Sequence, residues 1–215
     1  MKRFLILFFI LIGCSGIYGQ TKSTTAVDEW AEVAQNAVRE GATIDVSGDY
    51  AVQIHVSVAL SSETAHTGSK IEIQTSGNTS GDEDWTTYKT LFSPTGTANS
   101  EVTSGTETAG ATVIECASTV GLYDDDEIRW IFFEHTTPAN SEMALLVSHV
   151  ANTSVTLQDG ITNDQTAGTM FDIAQNYTVP LPFGANRFRI VYDNTFDVDG
   201  STIFTYARIS RVTAL

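Results

Sequence analysis

Three carboxylates and an amide crowd into the segment Asp193-Asn194-Thr195-Phe196-Asp197-Val198-Asp199-Gly200. Oxygen-rich loops of this kind can hold Ca²⁺, which takes about six to eight hard oxygen ligands. Asp193, Asp197 and Asp199 are the candidate ligands. No glutamate closes the loop as it would in an EF-hand, and Asp, Asn and Gly equally favour a solvated hairpin turn. Asp124-Asp125-Asp126-Glu127 and Gly81-Asp82-Glu83-Asp84 are two further acidic runs. Successive side chains on a strand point to opposite faces, so both runs read as solvated turns. Glycoside hydrolysis would need two carboxyls facing one cleft about 5–9 Å apart, a relation that a sequence does not display.

The remaining reactive residues are scattered. His55 lies on the polar face of a long strand, His66 in a loop, His135 at a strand end, and His149 in phase with Leu145 and Val147. There is no His-Glu-x-x-His, no Gly-x-Ser-x-Gly, no phosphate-cradling glycine loop and no Cys-x-x-Cys pair. Nothing in the sequence sets a serine beside a histidine and an acid. Cys116 is in phase with Ile114 and reads as a small buried apolar residue. On these grounds the chain reads as non-enzymatic, with no catalytic residue and no cofactor other than the candidate Ca²⁺. Trp85, Tyr88, Trp130, Tyr192 and Tyr206 are available to stack on sugar rings. Trp130 lies in a run that is apolar on both faces, Ile128 to Phe133, and reads as core.

The elements that must position these residues are mostly strands. Tyr50, Val52, Ile54, Val56, Val58 and Leu60 alternate with Ala51, Gln53, His55, Ser57 and Ala59, a long strand with one buried face. Ile71 and Ile73, Trp85 to Leu91, Phe188 to Tyr192 and Ile203 to Ile209 predict four more. Val27 to Glu40 differs. Trp30, Val33, Ala34, Ala37 and Val38 follow helical spacing, and Gly41 would stop the helix. Ser93 to Gly110, rich in Thr, Ser and Gly, reads as a linker or exposed loop. Short strands then crowd the stretch from Ala111 to Ala174. The pattern predicts an all-β fold: an antiparallel β-sandwich, jelly-roll or Ig-like, over 27–105 and 177–215, with a small β-barrel inserted at 111–174. Arg187, Arg189, Arg208 and Arg211 suggest an exposed sheet face pairing with local acids.

Composition agrees. Of 215 residues, 30 are Thr and 18 are Ser, which suits half-exposed pleated surfaces. With 26 Asp+Glu against 11 Lys+Arg, the net charge of −15 repels phosphate backbones and argues against a nucleic-acid partner. At the start, Met1-Lys2-Arg3 and the apolar run Phe4 to Ile12 read as a signal peptide over 1–19. The run is too short for a permanent span, which needs about 20 residues. Leu11-Ile12-Gly13-Cys14 resembles a lipobox, which would make Cys14 a lipidation site and a membrane anchor. Cleavage after Gly19 is the alternative, giving a soluble exported product. Either way, a disulfide between Cys14 and Cys116 is not expected.

Several phrases carry a resemblance. They are Ile44-Asp45-Val46-Ser47-Gly48-Asp49-Tyr50, Thr67-Gly68-Ser69-Lys70-Ile71-Glu72-Ile73-Gln74, Asp82-Glu83-Asp84-Trp85, and Leu181-Pro182-Phe183-Gly184-Ala185-Asn186-Arg187-Phe188-Arg189-Ile190. This strand-and-turn phrasing resembles β-sandwich modules of virion-associated proteins in tailed bacteriophages and prophages. Residues 111–169 are similar to the small β inserts of such proteins. The resemblance implies a structural or host-surface-facing role, with other structural proteins as partners, and transfers no functional residue. An exported surface lipoprotein binding carbohydrate or another cell-surface polymer is the second expectation. Location is accordingly the cell envelope or extracellular space, or else the virion. Long alternating strands would also permit a homo-oligomer.

Overall fold

The computed structural model describes residues 20–61, 64–81, 84–120, 122, 129–165, 169–172, 174–197 and 201–214. Six strands come first: β1 (Gln20–Val33), β2 (Val38–Glu40), β3 (Ile44–Asp45), β4 (Asp49–Leu60), β5 (Lys70–Ser76) and β6 (Thr86–Phe92). Six shorter ones follow: β7 (Ser100–Val102), β8 (Val113–Glu115), β9 (Arg129–Glu134), β10 (Glu142–Val150), β11 (Ser154–Leu157) and β12 (Thr169–Phe171). β13 (Ala174–Pro180), β14 (Arg187–Asp193) and β15 (Ile203–Ala214) complete the order. Every pairing is antiparallel. The fold is all-β, as the alternation and the Thr content predict.

Two sheets face each other. One runs β1-β15-β4-β13, the other β2-β14-β5-β6, with β3 also on β14. Alternation in β4 sends Val52, Ile54, Val56, Val58 and Leu60 between the sheets, where they meet Ile71, Ile73, Phe188, Ile190 and Tyr192. All are buried, and their removal from water is the main force holding the layers together.

The helix predicted for Val27 to Glu40 is not formed. Those residues belong to β1 and β2, and the reason is local. β1 carries register shifts against β15 between Ala26 and Asp28 and again between Asp28 and Ala31. Each bulge inserts one extra residue and resets which face the next side chain takes. Val27, Trp30 and Val33 therefore face apolar surroundings at spacings of three, which imitates a helical stripe.

The middle strands form a third sheet, ordered β7-β12-β9-β10-β11-β8. It curls until its two edges meet: Thr103 bridges Cys116, and the Ser104 N–H donates to the Glu115 carbonyl at 2.7 Å. Ile114, Cys116, Ile131, Phe133, Leu146, Val155 and Met170 fill the interior. The region from Ser93 to Gly110, expected to be a linker, instead contributes β7 and the closing bridge. Its low apolar content misled because β7 is an edge strand with Val102 facing out.

The curled sheet has apolar residues on its outside as well. On β9, Ile131 and Phe133 point into the barrel, while Phe132 points at the sandwich. The Phe132 ring lies 5.0 Å from Trp30 and 5.1 Å from Phe204. Phe171 of β12 and Met143 of β10 join the same core. Barrel and sandwich thus share a packed contact, and that contact sets the geometry of the cleft beside it.

A candidate binding cleft and a sealed polar cluster

Because Ile54, Val56 and Val58 point inward, His55 and Ser57 must face outward from the first sheet. The register then builds rows across three strands. Thr178, His55 and Arg208 form one row; Asn176, Ser57 and Tyr206 form the next; Ala174, Ala59 and Phe204 form a third. The barrel covers the third row through Phe132. The two polar rows stay uncovered and become the floor of a cleft of about 580 Å³.

The facing wall comes from the barrel. Trp130 lies two residues before Phe132, hence on the same outward face, and is 42% exposed. Met143, Leu145 and the turn Gln158-Asp159-Gly160 continue that wall. Gly160 is required there, since a Cβ on it would lie 2.5 Å from the Gly110 carbonyl oxygen. Trp30 and Tyr206 stack at 5.5 Å at the inner end. Trp130 is accordingly not the core residue expected. Its run is apolar on both faces because β9 separates two cores, and Trp130 lies beyond the end of the outer one.

Polar groups on the floor hold one another in place. His55 Nδ1 is 3.0 Å from Thr178 Oγ1 and its Nε2 is 3.1 Å from Ser210 Oγ. Ser57 Oγ donates to Asn176 Oδ1 at 2.5 Å. Burial, with the nearby charges of Arg208 and Lys22, pushes the His55 pKa below its ordinary value, so the ring is neutral at pH 7.

A second polar cluster lies at one end of the sandwich and is sealed. His66 Nε2 lies 2.7 Å from Ser93 Oγ and 3.2 Å from Ser69 Oγ. Its Nδ1 lies 2.5 Å from Ser201 Oγ and 3.5 Å from Asp197 Oδ1. The expectation that no serine lies beside a histidine and an acid is therefore corrected. Its members are 27 and 131 positions from His66 at Ser93 and Asp197, distances no local motif spans. The order of groups matches a nucleophilic relay, but the surroundings do not serve one. Ser93 is 4% exposed and also accepts the Ser69 N–H at 2.7 Å, so its oxygen is enclosed and already engaged.

Asp197 belongs to this cluster. Its Oδ1 accepts from the Thr67 N–H and hydroxyl at 3.1 and 3.0 Å; its Oδ2 accepts from the Ser201 N–H and hydroxyl at 2.8 and 2.9 Å. Burial alone would raise the Asp197 pKa. The hydrogen bonds from Thr67 and Ser201 outweigh it and hold the carboxyl far below the usual carboxylate range. Asp193, by contrast, turns toward its own loop and accepts from the Thr195 N–H and hydroxyl at 3.0 and 2.6 Å. Asp199, the third candidate calcium ligand, lies outside the described residues, as do Cys14 and the run Asp124 to Glu127. Among the described residues, no group of three or more His, Cys, Asp or Glu is placed to hold a metal ion.

Other candidates are dispersed. Tyr192 is fully buried with the Arg39 guanidinium 4.3 Å over its ring. Trp85 sits beneath Arg187 and Arg189 at 5.3 and 4.8 Å, and Tyr88 is exposed on β6. The four late arginines do not share one face. Arg189 bonds Glu40, Arg211 lies near Asp49, Arg187 bonds the carbonyls of Asn78 and Gly81, and Arg208 reaches the cleft. Cys116 is buried, and burial with Glu101 and Glu107 nearby pushes its thiol pKa up, away from nucleophilic use. Among the described residues no helix is long and apolar enough to cross a membrane.

Comparison with known proteins yields no match, whether by family model, curated sequence or solved structure.

Proposed function

We propose that this protein is a non-catalytic surface-attachment module that holds a carbohydrate chain in the cleft between sandwich and barrel. The observation that carries this reading is Trp130, a half-exposed indole opposite a floor of histidine, hydroxyl, amide and guanidinium groups. Sugar rings present apolar C–H faces and a rim of hydroxyls. A cleft with aromatic walls and a few convergent polar groups complements both. The virion-like phrasing of the sequence supports a host-facing role for such a grip. In the test, the protein is titrated with a panel of cell-surface oligosaccharides. At least one should bind, and Trp130→Ala should weaken it about tenfold or more without lowering the unfolding midpoint. Binding that ignores Trp130→Ala would refute the cleft.

A second reading rests on Leu11-Ile12-Gly13-Cys14. It makes the same grip part of an exported lipoprotein held at the membrane by acylated Cys14. Mass spectrometry of the mature N-terminus tests it: an acylated Cys14 supports the anchor, while a start at Gln20 removes it.

A further inference from the structure

Among the described arginine side chains, four of five are engaged. Arg39 pairs with Asp28 at 2.8 Å, Arg189 with Glu40 at 2.9 Å, Arg211 with Asp49 at 3.4 Å, and Arg187 bonds two backbone carbonyls. Among the described arginine side chains, Arg208 alone has neither a hydrogen bond nor an ion pair. In a protein of net charge −15, acids to pair with are plentiful, so an unpaired guanidinium is a departure. Its location sharpens the point. Arg208 lines the cleft next to His55, in the same cross-strand row, and Lys22 lies near enough to act on the same histidine. Arg208 and Lys22 thus place two cations beside His55 on the outer face of the first sheet, while Glu29 acts on Tyr206 of the same face.

We infer that the cleft selects an acidic saccharide, one whose carboxylate or sulfate sits on the Arg208 guanidinium while its ring lies against Trp130. This rests on the carbohydrate reading above and names its ligand class. A guanidinium presents a planar fork of donors that suits an oxyanion in two-point contact. His55, tied to Thr178 and Ser210, keeps the floor beside Arg208 fixed. Among the described carboxylates lining the cleft, Glu142 accepts the Thr162 and Asn163 N–H groups, whereas Asp159, on the barrel side, makes no hydrogen bond or ion pair. There it accepts sugar hydroxyls and disfavours a second acidic group at that end. The cleft is therefore polar along its width, with an anion-seeking floor and a hydroxyl-seeking wall.

The experiment compares three probes by titration calorimetry: an oligogalacturonate, its carboxyl-reduced neutral counterpart, and a sulfated neutral oligosaccharide. Each is measured against the unaltered protein, Arg208→Gln and Trp130→Ala. At least one acidic probe should bind about tenfold or more tighter than the neutral one. Arg208→Gln should erase that preference while leaving the unfolding midpoint unchanged. Preference for the uronate identifies a carboxylate, and preference for the sulfated sugar identifies a sulfate. Equal binding of all three, still weakened by Trp130→Ala, overturns this inference and leaves the carbohydrate reading standing. Binding of none overturns both.

Discussion

His55 and His66 have similar neighbours and opposite circumstances. Each ring lies against hydroxyls, Thr178 and Ser210 for His55, and Ser69, Ser93 and Ser201 for His66. His66 is enclosed, with a carboxylate behind it and every neighbour bonded to another member of the cluster. His55 sits on an open floor with an unpaired guanidinium beside it. The difference teaches that residue types do not assign a role. A polar cluster whose groups satisfy one another inside the core acts as a fastener, here joining the segments around His66, Ser93 and Asp197. The same kinds of group facing a cleft, with a charge left over, are equipped to meet something else.

The comparison breaks most readily at Asp197. Replacing it with alanine leaves the buried Ser201 N–H without its acceptor and removes one partner each from the Ser201 hydroxyl and from Thr67. Asp197→Ala should cost about 3 kcal/mol or more in urea denaturation. A loss below about 1 kcal/mol would show that the cluster is not a fastener. Next come the two histidines. His66→Ala should cost about 2 kcal/mol because it leaves a cavity among three buried hydroxyls that each lose one partner, whereas His55→Ala should stay within about 0.5 kcal/mol. Equal costs would erase the distinction drawn between the two sites.

Acid provides a smaller and more specific probe. Burial lowers the His66 pKa in the folded protein, with the Asp197 carboxylate opposing, so the unfolded chain takes up the proton more readily. Stability linked to His66 is thus complete above about pH 6.5 and declines as pH falls below it. Asp197, held low in the folded state, contributes stability above about pH 4 that is lost as pH falls further. Both act in the same direction. Urea midpoints at pH 7.5 and 5 should fall for the unaltered protein and fall less for His66→Ala. An identical fall in both proteins would remove His66 from the account.

Much of this molecule was legible in its sequence, and the misreadings have physical causes. The alternation in Tyr50 to Leu60 correctly placed His55 outward, since period two survives wherever a strand is unbroken. The same rule failed from Val27 to Val33, where two bulges turned it into a false helical stripe. Trp130 was misjudged because an apolar run on both faces normally means burial, and here the outer core ends one row short of it. The alignment of Asp193, Asp197 and Asp199 suggested a shared cation. The described pair faces different ways: Asp193 folds onto its own turn, and Asp197 reaches inward to Thr67 and Ser201.

What the chain alone determined is its all-β character and, for each regular strand, which side chains take the same face, because both follow from local periodicity and Thr-rich composition. Two things were decided only in three dimensions. Docking of Phe132 onto Trp30 and Phe204 chose which outward row was covered and which stayed open as the cleft. Strand pairing and loop closure brought His66, Ser93 and Asp197 together from distant positions. Both depend on register and packing between segments, and no window of sequence contains the two partners at once.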